Sequence, residues 1–219
     1  MVIDTSIIIT NFNREKYLGR AIRSCLKQSL DKNRYEIIVI DDASADNSKK
    51  IIESFGDKII PIYLKRNVGV AGASNVGIKK ALGNFIIRVD SDDYINEHAL
   101  LILTELMIQN CDLGFVYTDH ILVDEKENHI ERFNLNTLYE LYKHGAGIIF
   151  RKSYLESIGL YDSEMRHAED YDLLKRYIKN FDGYHLRLPL YRYRQWTGNQ
   201  TKLGKREEYI KKSDTKTIK

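Results

Sequence analysis

Short apolar, β-branched runs alternate with amphipathic stretches through the first half of the chain, a pattern that predicts an α/β fold with a mostly parallel sheet covered by helices. Strands are expected at Asp4 to Thr10, Tyr35 to Ile40, Ile59 to Leu64 and Asn84 to Asp90. Between them Glu15 to Gln28 places Leu18, Ala21, Ile22, Cys25 and Leu26 at helical spacing. Asp46 to Phe55 and Val70 to Leu82 read as two further helices, and Glu97 to Gln109 as a fourth. After a fifth strand, Leu113 to Tyr117, the period changes. Thr118 to Asn134 suits a hairpin, Tyr154 to Gly159 a short helix closed by glycine, Glu169 to Asn180 an amphipathic helix, and Tyr184 to Tyr193 a strand interrupted by Pro189. No linker rich in Pro, Gly or Ser divides the chain, so residues 1–200 read as one domain, whose second half (119–200) completes a site begun by the first (1–118).

Composition narrows the class. The 219 residues include 2 Pro and 2 Cys, and 43% are hydrophobic. The apolar runs are too short to span a bilayer, and no leader-like segment opens the chain. Cys25 and Cys111 lack the spacing of a disulfide or zinc site, so a reducing cytoplasm is expected. The net charge of +3 is uneven: residues 201–219 carry seven Lys/Arg against three Asp/Glu, and the first 200 residues are nearly neutral. Such a basic tail, Lys202 to Lys219, suits either solvent or peripheral contact with the inner face of an anionic membrane. No basic face with interleaved aromatics argues for nucleic acid.

Ligands of open α/β sheets bind beyond the carboxyl ends of the strands, so the loops there carry the candidate chemistry. The first, Thr10-Asn11-Phe12-Asn13-Arg14, has no glycine, which argues against a dinucleotide fold or a P-loop. The second strand ends in Asp41-Asp42-Ala43-Ser44, whose carboxylates can accept from a base or ribose hydroxyls. The fourth ends in Asp90-Ser91-Asp92-Asp93, three carboxylates whose repulsion a divalent cation would relieve, Mg or Mn by ligand type; a solvated acidic turn is the alternative. Gly69, Gly72 and Gly77 lie between, marking either ligand approach or close helix packing. His144 to Gly147 reads as a turn entering the strand Ile148 to Arg151.

Taken in order, Ser6 to Asn13, Asp41 to Ser44, Asn67-Val68-Gly69, Asp90 to Asp93 and Ala168-Glu169-Asp170-Tyr171-Asp172-Leu173 resemble the motifs of the family 2 glycosyltransferases of GT-A fold. The resemblance implies a GT-A, Rossmann-like sheet with a C-terminal acceptor-side portion and a nucleotide-sugar donor, UDP-linked by expectation. Thr10, Asn11, Asp42, Arg66, Asn67, Asp90 and Ser91 would then contact the donor, and Asp92 and Asp93 a Mn or Mg ion. Asp170 would be the base of an inverting, metal-dependent transfer to a glycan or lipid-linked acceptor in cell-surface polysaccharide synthesis, with Glu169 and Trp196 on the acceptor side. The sequence departs from the family at Ser74, often an arginine, and at Tyr193 to Trp196, where many members place a metal-completing histidine; either a lower metal affinity or substitution by Gln195 or water is expected. A nucleotide-sugar-binding protein without turnover and a metal-dependent nucleotidyl or phosphoryl transferase remain the alternatives.

Overall fold

A computed structural model describes residues 2–137, 140–142, 145–197 and 206–216. His144 and residues 198–205 and 217–219 therefore lie outside the described part. Strands β1 (Thr5–Asn11), β2 (Tyr35–Asp41), β3 (Ile60–Tyr63) and β4 (Phe85–Asp90) pair in parallel in the order β3-β2-β1-β4. Helices α1 (Glu15–Leu26), α2 (Ser48–Glu53) and α4 (Ala99–Gln109) lie within the predicted stretches, and α3 (Gly69–Lys80) begins one residue before its own.

β1, β2 and β4 are continuous apolar runs because both of their faces are buried, whereas β3 is an exposed edge strand. Alternate residues of β1 enter opposite cores: Ile7 and Ile9 join Leu18 and Ile22 of α1 and Leu103 and Met107 of α4, whereas Ile8 joins Ala73 and Ile78 of α3. The parallel register then brings the strand ends to one edge, with Asn11 opposite Asp41 and Thr10 opposite both Ile40 and Asp90.

Beyond β4 the sheet becomes mixed, which the expectation of a mostly parallel sheet does not capture. β5 (Tyr94–Ile95), β6 (Phe115–Val123), β7 (His129–Phe133), β8 (Ile148–Arg151) and β9 (Gly183–Arg194) extend it in the order β4-β8-β6-β9-β5, with β7 also on β6. β8 runs antiparallel to β4 and β6, and β9 runs parallel to β6. The expected hairpin forms between β6 and β7, but β6 runs six residues past Tyr117, to Val123. β9 passes through Pro189 without ending, because the ladder to β6 shifts register there, with Thr118 opposite Leu186 and Asp119 opposite Pro189.

Two helices complete the cleft side. Glu169–Ile178 buries Leu173, Leu174 and Tyr177 against the α3 side of the sheet. Arg206–Lys216, in the basic tail, packs on it: Ser213 Oγ donates to Asp172 Oδ1 (2.8 Å), Lys175 pairs with Asp214, and Tyr209 meets His167 edge-on. This part of the tail is thus joined to the domain. Among the described residues no helix is long and apolar enough to cross a membrane.

Gly77 decides how closely α3 approaches the sheet, since a Cβ there would lie 2.7 Å from Ile8 Cγ2 and 2.8 Å from Ile40 Cδ1. Packing explains this glycine, whereas Gly69 is required for its φ of +81°. Gly77→Ala gains helix propensity but overpacks the contact, so a net loss of roughly 1–2 kcal/mol is expected in urea unfolding. A stabilised variant would show that α3 can slide.

Candidate active site

The strand ends and the start of the Glu169–Ile178 helix enclose one cleft, lined by Thr10, Asn11, Phe12, Arg14, Asp42, Val70, Ala73, Arg88, Asp90 to Asp93, His167 to Asp170 and Tyr193. Thr10, Asn11, Asp42, Asp90, Ser91, Asp92, Asp93, Glu169 and Asp170 are thus brought together as the sequence predicts. Arg66, Asn67 and Trp196 are not among the lining residues.

At the first two strand ends, side chains fix the loops. Asn11 Nδ2 donates to Asp41 Oδ1 (2.9 Å) and Ser44 Oγ (3.1 Å), leaving its buried Oδ1 without a hydrogen-bond partner. Such an acceptor costs free energy unless a ligand donor meets it. Asp42 is 3% exposed, and its carboxylate accepts from Val68 N (2.7 Å) and Gly69 N (2.8 Å). Burial raises its pKa although these N–H groups and the Arg166 charge oppose it. Asn67 supports the same loop, donating to Asp42 O and accepting from Arg166. Arg66 is exposed.

The acidic turn holds three carboxylates in unlike surroundings. Asp93 is turned inward, with Tyr191 Oη donating to Oδ2 (2.9 Å) and Arg194 N to Oδ1 (2.8 Å). Burial, then Asp92 and Asp90, drive its pKa well above the carboxylate range. Both oxygens of Asp93 are thus engaged by β9, and the residue ties the acidic turn to that strand. Asp92 keeps a face on the cleft. Its Oδ2 accepts from Trp196 Nε1 (2.9 Å) and lies 3.6 Å from Arg14 Nε. Burial, then the Asp90 charge, raise its pKa. Trp196 is packed beside Tyr17 (5.2 Å between centroids) with Arg14 over its ring. Its indole N–H supplies a donor near the position expected of a histidine, while Gln195 N bonds Val123 O. Among the described residues no three His, Cys, Asp or Glu groups are arranged to hold a metal.

Arg88, on β4, joins the two halves. Its Nη2 donates to Asp170 Oδ2 (2.7 Å), Nε lies 3.3 Å from Asp90 and Nη1 3.6 Å from Glu169. The side chain is 9% exposed, and its Nη1 makes no hydrogen bond. Asp170 sits in the first turn of its helix, behind Ala168 with φ 58°, a left-handed conformation unusual for a residue with a side chain. Burial raises Asp170 to a pKa of about 7; Arg88 lowers it, while Glu169 and Asp90 add to the rise. Gly145 leaves the room for this carboxyl, since a Cβ there would lie 2.4 Å from Asp170 Cβ. Asp172 faces away: Arg176 (2.8 Å) and Ser213 hold it, so only one of the two aspartates reaches the cleft, as the helical spacing predicts.

Residues 6–159 match the family model described as glycosyl transferase family 2. The chain belongs to this family. An uncharacterised glycosyltransferase of Rickettsia prowazekii is 34% identical over 191 residues, 80% of this chain and 58% of that protein. The poly(ribitol-phosphate) beta-N-acetylglucosaminyltransferase TarS of Staphylococcus aureus is 39% identical over 98 residues, 43% of this chain and 17% of that one. The chain thus spans well under two thirds of either relative. In three dimensions it resembles TarS 1-349 in complex with UDP-GlcNAc, with a TM-score of 0.79 at 24% identity over 91% of this chain and 60% of that one. It also resembles the mannosyltransferase PcManGT of Pyrobaculum calidifontis in complex with GDP-Man and Mn2+, with a TM-score of 0.77 at 14% identity over 100% of this chain and 65% of that one. The fold is GT-A.

Within this family 2 domain, sequence reasoning missed Arg88, Arg14, Tyr191 and Gly145. Arg88 left a signal, a lone charge inside the apolar strand Phe85-Ile86-Ile87-Arg88-Val89, where a buried cation needs anionic partners. Tyr191 and Gly145 left none, since their roles depend on contacts made only in the fold.

Arg88→Met retains the stem but leaves three carboxylates without their shared cation, and breaking such a buried pair typically costs about 3–5 kcal/mol. The loss should depend on pH. Without Arg88 the folded-state pKa of Asp170 rises further above its unfolded value, so stability is retained at low pH and lost as pH rises through the folded pKa. Urea unfolding should show a larger deficit at about pH 8.5 than at about pH 6; equal deficits would show that Arg88 acts only by packing.

Proposed function

We propose that the chain transfers a sugar from a nucleotide-sugar, UDP-linked, to a hydroxyl of a glycan or lipid-linked acceptor, inverting the anomeric centre, as a step of cell-surface polysaccharide synthesis. The observation that carries this is Asp170, a buried carboxyl with a pKa of about 7 in a cleft built from the strand ends. A group with that pKa is a carboxylate for much of the time near neutrality and still basic enough to accept a proton from an attacking hydroxyl. Membership of family 2 and the likeness to TarS, whose structure is in complex with UDP-GlcNAc, support a nucleotide-sugar donor.

In this reading Thr10, Asn11 and Asp42 hold the nucleoside, with the buried Asn11 Oδ1 as an acceptor for a base or ribose donor. Asp90 and Ser91 face the sugar-diphosphate portion. Glu169, beside Asp170, lies toward the acceptor. The donor set fits a divalent cation of the Mg or Mn type in part: Asp92 is a crowded, partly desolvated carboxylate on the cleft, and such ions commonly take only one or two protein carboxylates besides substrate phosphates and water. When bound, such an ion neutralises charge on the leaving diphosphate. Arg14, 3.6 Å from Asp92, adds positive charge from the chain itself. The +4 balance of residues 201–219 supports extending the proposal to peripheral contact with an anionic membrane, where a lipid-linked acceptor resides.

Asp170→Asn keeps the size of the side chain but cannot take a proton, so turnover should fall about 10²- to 10⁴-fold with donor affinity little changed. In the parent chain turnover should decline as pH falls through about 7, because the active form is the carboxylate; an α-linked donor should give a β-linked product. Retained configuration, or near-normal turnover by the variant, would refute a direct inverting step with this base.

Asp92→Asn should weaken UDP binding in the presence of Mn by roughly tenfold in calorimetry, on the scale of a lost charge-assisted contact, and leave binding in EDTA unchanged. Equal loss in both conditions would assign Asp92 to the nucleotide and not to a cation.

A further inference from the structure

A second cavity, of about 430 Å³, opens between α1 and the β5-β9 pair and shares no lining residue with the donor cleft. Its walls are cationic. Arg20, Arg23 and Lys27 follow one another at spacings of three and four along α1 and its C-terminal cap, which places them on one helical face. Arg192 enters from β9, where it stands opposite Tyr94 of β5. Glu97 is the one carboxylate of the lining; its side chain is largely exposed and lies 3.6 Å from the His98 ring.

These charges are unevenly compensated. Arg20 is paired with Glu127 (3.0 Å) and stacks over Tyr94, with Cζ 3.9 Å from the ring centroid. Arg192 is half-buried and donates to a backbone carbonyl, Pro189 O (2.6 Å), and among the described residues it forms no salt bridge. Burial, and after it the charge of Arg20, lower the Arg192 pKa, the opposite of what an ion-paired arginine shows. Arg23 and Lys27 are exposed and, among the described residues, form no salt bridge. A concave site in which several donors converge and positive charge goes unanswered is suited to an anion with several acceptor oxygens.

We propose that this cavity is a binding site for a phosphate group, held by Arg23, Lys27 and Arg192 with Arg20 and Tyr94 as its floor, and separate from the donor cleft. The proposal does not rest on the glycosyl-transfer reading, since none of these residues takes part in it. Phosphate chemistry is favoured over a carboxylate because guanidinium groups on two elements and a lysine can each meet a different oxygen of a tetrahedral anion.

The test titrates inorganic phosphate into the full chain in EDTA at low ionic strength, followed by calorimetry, and separately measures binding to vesicles of phosphatidylglycerol and phosphatidylcholine. Saturable phosphate binding that weakens with added chloride is expected. Arg23→Gln/Lys27→Gln, at exposed positions that leave the fold intact, should reduce it roughly tenfold. Arg192→Gln should do the same, and Asp92→Asn should not. Vesicle binding that disappears in the Arg23→Gln/Lys27→Gln variant, without binding of free phosphate, would assign the same site to a lipid headgroup. Unchanged binding of both probes by that variant, or no binding of either by the parent chain, would overturn the proposal.

Discussion

Negative charge crowded at one edge of the sheet is the constraint from which the rest of the site follows. The parallel register of β1, β2 and β4 places Asp41 opposite Asn11 and Asp90 opposite the adjacent Thr10, and the turns that follow add Asp42, Asp92 and Asp93. The Glu169–Ile178 helix then brings Glu169 and Asp170 to the same cleft. Like charges so close cannot all be ionised and unpaired in a partly desolvated space. The structure resolves the crowding differently at each carboxylate. Asp42 is answered by backbone N–H groups, Asp93 by a tyrosine hydroxyl and a backbone N–H, Asp92 by an indole N–H and Arg14, and Asp170 by Arg88.

Those solutions explain why the second half of the chain takes the form it does. β9 supplies Tyr191 to Asp93, and Arg194 to Asp93 and to the carbonyl of Asp92. Arg194 is itself 2% exposed and reaches the Asp124 and Glu125 carbonyls and Glu127 of the β6-β7 turn. The same turn ties back to α1 through Glu125 on Lys16 and Glu127 on Arg20. Acidic turn, last strand, hairpin and first helix are therefore one connected polar layer. A substitution within it shifts its neighbours, and its energetic effects should not add.

The parallel half was legible in the sequence because β1, β2 and β4 are buried on both faces and so read as continuous apolar runs, bounded by loops with distinct polar signatures. The mixed half was less so. The parallel pairing of β9 with β6 and the shift at Pro189 leave no local trace, and β6 hides in polar and apolar alternation that also suits a hairpin. Residue types announced the cleft, since carboxylates at strand ends are conspicuous. Their division of labour was not visible: Asp93 is set apart from Asp92 by partners 98 and 101 residues away, and nothing in Asp-Ser-Asp-Asp ranks its members. Trp196 likewise gains its role from Asp92, 104 residues distant.

Arg88 shows how one residue reconciles opposed demands. A base must be anionic before reaction and must accept a proton during it, which excludes both a strongly depressed and a strongly raised pKa. Close pairing with a guanidinium alone would hold Asp170 far below neutrality; burial beside Glu169 and Asp90 alone would keep it protonated. Arg88 does not pair with Asp170 exclusively, because Asp90 and Glu169 stand within 3.6 Å of the same guanidinium and compete for its charge. The Arg88 charge thus offsets only part of the rise that burial, Glu169 and Asp90 impose on Asp170, and a pKa of about 7 is the outcome. Position follows as well: Arg88 stands on β4, the strand that carries the acidic turn, so its bond to Asp170 references the geometry of the base to that turn through one side chain.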